Sequence, residues 1–400
     1  MATHDVVRQV SYVQQALSQN RKHLGFFIGA GCPLSVRVNH REEGDKVVSD
    51  ALIPDVVGLT GIINEKLKGA NSDKPTTWDR VISLVRQDGG NDKNIEHVLT
   101  QIRLLASVAG KGTVRDLTAD QLSNLDRDIC TIISKVVDQE LPNSKTPYHN
   151  LAVWTRSIKR EQPVHIFTTN YDLLLEQALE ESSAPYFDGF IGTRRAFFDL
   201  GAVENEGDLP ARWSRLWKIH GSLNWQLDKT NNVVRSDQPT EGQKHLIYPS
   251  HLKYDQSRKM PYLAMLDRLK EFLLRPSSIL FMSGYSFGDE HINDVICRTL
   301  ASNPTAHVFA LLFGQLNDEK YGQARTCGLG TPNLSVLAFD GAIVGRTPGK
   351  WKYSDLPFPL PGGIVVPDEK GETCELKLGD FMQFGNLLRN ITAAGDDANG

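Results

Sequence analysis

Cysteine is scarce in this sequence. The five present, Cys32, Cys130, Cys297, Cys327 and Cys374, stand far apart, and its 400 residues contain no Cys-x-x-Cys pair. Zinc ribbons need thiolates spaced a few residues apart, and disulfide scaffolds need many cysteines in a short chain. Neither is expected, no metal site is expected, and a reducing compartment fits. No apolar run approaches the ~20 residues of a membrane-spanning helix. The opening Met-Ala-Thr-His-Asp lacks the basic-then-apolar pattern of a signal peptide. A soluble, cytoplasmic protein without membrane contact is the expectation. Nor is there an excess of one charge. A formal net charge of −4 gives no global attraction to nucleic acid, and no Lys/Arg block marks a phosphate-backbone footprint, although local basic patches stay open.

What is present is an ordinary globular balance, 40% hydrophobic and 23% charged, enough for a sizeable core. Apolar runs at 24–28, 164–168, 278–283 and 307–313 read as buried strands. Segments 5–19 and 262–274, and the segment opening near Asp289, read as helices. This alternation predicts an α/β fold, a Rossmann-like parallel sheet with helices on both faces. Between 56 and 140 the pattern is helical: Ile95, Val98, Ile102 and Leu105 step by three and four, as do Leu122, Leu125, Ile129, Ile132 and Val136. A helical insertion over about 56–145 is expected on a domain spanning 1–345, its stripes serving as core or subunit interface. Leu334 to Phe339 reads as the last sheet strand. Segment 346–400 reads as a Pro/Gly-rich C-terminal region, with loops and short edge strands over 345–371 and disorder over 395–400. Residues 35–50 read as a flexible polar loop that could gate a site, 201–211 as a polar loop, and a hairpin-like stretch leads to Leu246-Ile-Tyr-Pro249.

In open α/β sheets ligands sit outside the carboxyl ends of the strands. Four segments put polar residues there: Gly29-Ala30-Gly31, Thr169-Asn170-Tyr171-Asp172, His220-Gly221, and Ser283-Gly284-Tyr285-Ser286. Taken singly, each has an ordinary reading. The glycines make a tight turn and lack the third glycine of the usual dinucleotide fingerprint. Asn170 is a turn residue, Asp172 a helix N-cap, and Glu96 a solvated helix-start carboxylate. Taken together, they outline a nucleotide site.

These four segments resemble the sirtuin signatures, in the sirtuin order: the Gly-Ala-Gly phosphate loop, the Gln-Asn-Ile-Asp motif, the catalytic His-Gly and the Gly-Thr-Ser ribose loop. Ile53-Pro54-Asp55 resembles the Ile-Pro-Asp that follows the first motif. Thr169 stands in place of Gln and Tyr171 in place of Ile, and residues 222–282 hold no cysteine where sirtuin deacylases carry a zinc module. With the Tyr285-Ser-Phe-Gly-Asp289-Glu-His-Ile-Asn293 continuation, the chain looks like the prokaryotic defence-associated branch. That resemblance implies an NAD+ glycohydrolase that depletes NAD during phage infection, as a homo-oligomer assembled with a HerA-type hexameric ATPase. NAD+ would be the substrate. The resemblance places Asn170 at the ribose and the attacking water, with His220 as general base. Gly29, Ala30 and Gly31 would be at the pyrophosphate, and Ser283, Gly284 and Ser286 at the adenosine ribose, with Asn293 nearby. Thr169 joins the contact set, and Asp172 fixes the loop or meets the nicotinamide side. The chemistry suits those residues. An asparagine amide orients hydroxyls and water without carrying charge, and a histidine takes a proton near neutral pH. Two other readings are carried forward: an NAD- or ADP-ribose-binding scaffold or sensor of a defence complex, and an NAD-dependent protein deacylase or ADP-ribosyltransferase.

Overall fold

Strand side chains alternate between faces, so a sheet covered on both sides is built from continuously apolar strands. The central strands obey this. Leu24, Phe26 and Ile28 join one core with Ile166, Leu216, Ile279 and Phe281, while Phe27 joins a second with Phe167, Trp217, Leu280 and Met282. The computed structural model describes residues 2–43, 46–69, 75–157, 159–228, 230, 232–236, 261–353, 362–367 and 374–397. Its main sheet has ten strands. In chain order they are β1 (Ala2–Asp5), β2 (Leu24–Ile28), β3 (His165–Thr168), β4 (Tyr186–Phe187), β5 (Ser214–Lys218), β6 (Ile279–Ser283), β7 (His307–Leu311), β8 (Leu334–Leu337), β9 (Gly341–Val344) and β10 (Thr347–Lys352).

Across the sheet the order is β1-β10-β9-β8-β7-β6-β2-β3-β5-β4. From β8 to β4 every pairing is parallel; β9 runs against both of its neighbours. The chain leaves β2 for β3 and β5 on one side, then returns to β6, β7 and β8 on the other. The reversal falls between β2 and β6, the kind of switch point where such sheets hold ligands. The parallel α/β expectation holds.

The sheet does not stop at Leu334–Leu337, as the sequence suggested. Gly341–Val344 and Thr347–Lys352 continue it, and Ala2–Asp5 closes the edge in register with Gly349 to Lys352. A strand of four mixed residues at the N-terminus carries no apolar period to read. The C-terminal helix Phe381–Asp397 buries Phe384, Leu387 and Leu388 in the first core, and Gly385 lets it approach Pro147 on helix Pro147–Ser157. The tail expected to be disordered therefore begins inside this helix at 395–397, while 398–400 and the Leu246–Pro249 stretch lie outside the described residues.

The helical insertion comprises Val56–Leu67, Thr77–Gln87, Ile95–Ala109 and Ala119–Val137. In the last of these the stripe runs Leu122, Leu125, Ile129, Ile133 and Val137, so the inward face is one residue further along than the expected Ile132 and Val136. Residues 35–50 are also more ordered than a polar loop. Arg37–Glu43 pairs antiparallel with Lys46–Ala51, and Arg41 meets Asp50 at 3.0 Å. Polar residues on both faces hid the strand period there. Segment 201–211 opens within the short helix Leu200–Glu204. Among the described residues no helix is long and apolar enough to cross a membrane.

Candidate active site

The turns after β2 and β6 lie backbone against backbone. The Gly29 N–H donates to the Ser283 carbonyl at 2.9 Å, that of Gly31 to Gly284 at 2.8 Å, and that of Cys32 back to Gly29 at 3.0 Å. A Cβ on Gly29 would lie 2.4 Å from the Gly284 carbonyl, and one on Gly284, at φ +67°, 2.5 Å from the Cys32 nitrogen. Glycine is needed here so that the two turns can touch. The Gly-x-Gly motif forms the β2 side of this contact. Its Gly29 and Gly31 amides are engaged with the β6 turn, and of its three residues only Ala30 lines the adjoining cavity. The Cys32 thiol, fully buried, donates to Ser283 O at 3.3 Å, and burial pushes its pKa up to about 12, an inert thiol rather than a nucleophile.

Beside these turns β3 delivers Thr169 to Asp172. Thr168 Oγ1 donates to Ile28 O at 2.8 Å and accepts from the Asn170 N–H at 3.0 Å, which fixes the turn. The Asn170 amide donates through Nδ2 to Gly29 O at 3.2 Å. Its Oδ1 is buried without a partner among the described residues, as is the hydroxyl of Tyr171. Burial holds the Tyr171 phenol far above its usual pKa, so it stays protonated as a donor. Asp172 accepts from the Leu174 N–H at 3.2 Å, a helix-start contact. Burial raises its pKa to about 6, against the pull of Lys218. Lys218, 1% exposed, reaches the Asp172 carbonyl and Glu176 Oε1, the latter at 2.8 Å. It was not singled out in the sequence, although a lysine inside the run Leu216-Trp217-Lys218-Ile219 is a signal of a buried charge.

The end of β5 brings His220 in. Gly221, at φ +97°, makes the turn after it. His220 Nε2 lies 3.2 Å from Asp289 Oδ2. The other oxygen of Asp289 caps helix Glu290–Ser302, accepting from His291 N at 3.0 Å and Ile292 N at 3.3 Å. One carboxylate is thus fixed by a helix N-terminus and turned onto the histidine. With the proton at Nε2 toward Asp289, Nδ1 is the basic nitrogen. Asp289 lay within the Tyr285–Asn293 motif without a role, because an Asp opening a helix reads as a cap and its second oxygen, here on His220, is invisible in sequence. The Tyr285 hydroxyl donates to Asn293 Oδ1 at 2.9 Å and to Asp289 O at 3.1 Å, and Asn293 Nδ2 donates to Phe287 O at 2.8 Å. Asn293 therefore braces the β6 turn from below.

Asn170, His220 and Asp289 converge on a cavity of ≈ 230 Å³, which Thr169, Asp172, Gly284 and Ser286 also line. Ser283 is fully buried beneath it, and neither Ser283 nor Asn293 lines it. The opposite wall is the helical insertion, through Val56, Leu59, Ile95, Ile133 and Val137, with Ile53 and Pro54 beside them. Glu96, in the first turn of its helix, also lines the cavity. Among the described residues no group of three or more His, Cys, Asp or Glu is placed to hold a metal ion.

Residues 164–329 match the family model of the SIR2-like domain, a span holding Asn170, Asp172, His220, Gly284 and Asp289. No curated protein matches the chain. A crystal structure of a Sir2 homologue in complex with NAD aligns over 99% of this chain and 98% of its own, at 12% identity and a TM-score of 0.42.

Proposed function

We propose that this protein hydrolyses NAD+ to nicotinamide and ADP-ribose. A SIR2-like domain points to NAD binding or processing. What carries the finer reading is the open acceptor Oδ1 of Asn170 within a cavity shared by the His220–Asp289 pair. A buried polar atom without a partner costs about 1–3 kcal/mol, and a bound hydroxyl or water would satisfy it. Breaking the nicotinamide–ribose bond leaves an oxocarbenium-like ribose and expels nicotinamide as a neutral molecule. The protein must hold the ribose, admit one water and remove its proton. Asn170 Oδ1 accepts from the water or a ribose hydroxyl while Nδ2 stays tied to Gly29. His220 takes the proton, and Asp289 stabilises the resulting imidazolium. Oxygen from water ends on C1′ of the ribose, and the bonding pair leaves with nicotinamide. In this reading Ala30 and the Gly284–Ser286 turn, which line the same cavity, hold the phosphate and adenosine halves.

From the family resemblance we extend this reading to NAD depletion in antiphage defence by a homo-oligomer assembled with a HerA-type ATPase. The test is NAD turnover by chromatography, with the full chain alone and with that ATPase, each beside Asn170→Ala and His220→Ala. Nicotinamide and ADP-ribose should form in equal amounts only when both residues are intact. Turnover that survives both substitutions sinks the assignment. NAD binding without turnover in either state would turn the reading to a sensor or scaffold, and O-acetyl-ADP-ribose formed from an acetylated peptide would turn it to a deacylase.

A further inference from the structure

The strands that end at the candidate active site begin at a second cavity, of ≈ 680 Å³. Val164, Pro185 and Ser214, at the starts of β3, β4 and β5, form part of its lining. From Val164 to Asn170 is six residue steps, roughly 20 Å at the ~3.3 Å rise of a strand, so the two cavities are separate. Arg156, Lys159, Arg160 and Arg212 line the second one, and no carboxylate does. In a chain of net charge −4 this is a local reversal of sign. The neighbouring Glu161 is engaged with Arg21 at 3.2 Å.

Cations near the end of helix Pro147–Ser157 have a structural use, since they offset the negative end of the helix dipole. Arg160 serves it. It is 9% exposed, its guanidinium lies 3.8 Å over the Trp154 ring, and it donates to Trp154 O at 3.3 Å and Thr155 O at 3.4 Å. That explanation does not extend to Arg212, which comes from the loop before β5 yet lines the same cavity. Arg156, Lys159 and Arg212 are exposed, and none makes an ion pair among the described residues. Three like charges drawn from two segments repel one another around a shared space unless an anion sits between them.

We propose that this cavity binds a small ligand carrying two or more phosphates, of the nucleoside diphosphate class. Guanidinium forks match phosphate oxygens two at a time, the hydroxyls of Ser157 and Ser183 add donors, and the volume is that of a nucleotide-sized pocket. The inference stands apart from the reaction proposed above.

The test is calorimetric titration of the full chain with ADP and with inorganic triphosphate, at low and at high salt. It compares the wild type with the double variant Arg156→Gln/Arg212→Gln. Both arginines are exposed, so the melting temperature should hold. ADP affinity should fall about tenfold or more, the loss expected for charge-assisted contacts, while NAD turnover stays unchanged. Triphosphate should compete with ADP, and both should weaken with salt. Affinity for ADP that the double variant leaves unaltered, or no binding of either probe at millimolar concentration, overturns the proposal. So does a single-stranded oligonucleotide that outbinds ADP and loses that advantage in the double variant, since the patch would then be a nucleic-acid surface.

Discussion

The two ends of the same parallel strands handle buried polarity in opposite ways. At the amino end, Arg215, 1% exposed, donates to carbonyls of Glu206, Leu209, Pro210 and Trp213. His165 accepts from Trp217 Nε1 at 3.1 Å, and Arg275 closes onto Glu206 at 2.7 Å. Burial and the facing arginines, Arg275 first among them, hold the His165 imidazole neutral. There most donors are met by the chain itself, and the atoms left open, Arg215 Nε and Trp213 Nε1, line neither of the two cavities. At the carboxyl end, glycine backbones are pressed together so that Asn170 Oδ1 and the Tyr171 hydroxyl are buried and left open beside a carboxylate-oriented histidine. Open atoms occur at both ends, but those of Asn170 and Tyr171 belong to residues lining one cavity with the His220–Asp289 pair, which readies them for something the fold does not itself contain. Polarity alone does not mark a site; unanswered polarity in a cavity does.

The largest expected effect tests that contrast directly. Asn170→Ala should lower NAD turnover by about a thousandfold, the scale of losing one preorganised hydrogen-bonding group, with the melting temperature held within a few degrees. A large loss of stability with little loss of turnover would put Asn170 with the structural groups of the amino end. Asp289→Asn comes next. It keeps the cap on His291 and Ile292 but loses the charge on His220, so kcat should fall between about ten- and a hundredfold with KM nearly constant. Asp289→Glu, which restores the charge, should recover part of that loss. Equal changes in KM and stability without a change in kcat would make Asp289 a helix cap and nothing more.

Legibility in the sequence follows the same division. The central strands were readable because both faces are buried, so 24–28, 164–168 and 278–283 are continuously apolar. The helices of 56–140 were readable by their steps of three and four, up to the register of Ile133 and Val137. Edge strands such as Ala2–Asp5 and the ribbon at 37–51 have no buried face to impose a period and were not. Within the site, strand ends gave Asn170 and His220 because topology forces those positions into one crevice. Which atoms stay open is set by long-range contacts. Asn170 Nδ2 is claimed by Gly29, 141 positions away. Asp289 and Lys218 matter through partners on other elements, and Gly29 and Gly31 face another loop, which no local pattern records.

Gly284→Ala probes the close approach that frames the open groups. At φ +67°, with the new Cβ 2.5 Å from the Cys32 nitrogen, the substitution forces the two turns apart and should cost about 2 kcal/mol in denaturant unfolding. Turnover should fall with it, because the turn that moves carries one wall of the cavity. Wild-type stability in this variant would mean that the loops have slack, and that the carboxyl end is no more constrained than the amino end.

The smallest effect concerns Asp172, where the carboxyl end holds a carboxyl against burial with Lys218 as counterweight. Its pKa is raised from 3.8 to about 6 in the folded protein, so between those values the folded state binds more protons than the unfolded one. Stability from this group is therefore fully present below about pH 4 and is lost as pH rises through about 6. A shift of that size corresponds to at most ~3 kcal/mol. Asp172→Asn removes the ionisable group and keeps an acceptor for the Leu174 N–H, but it takes an anionic neighbour from buried Lys218. We expect a net gain of about 1 kcal/mol at about pH 7.5, vanishing or reversing toward about pH 4.5, read from urea midpoints of both proteins at the two pH values. A difference that is the same at both would mean Asp172 titrates as a solvated carboxylate, and that this end of the sheet carries its charge at no greater cost than the other.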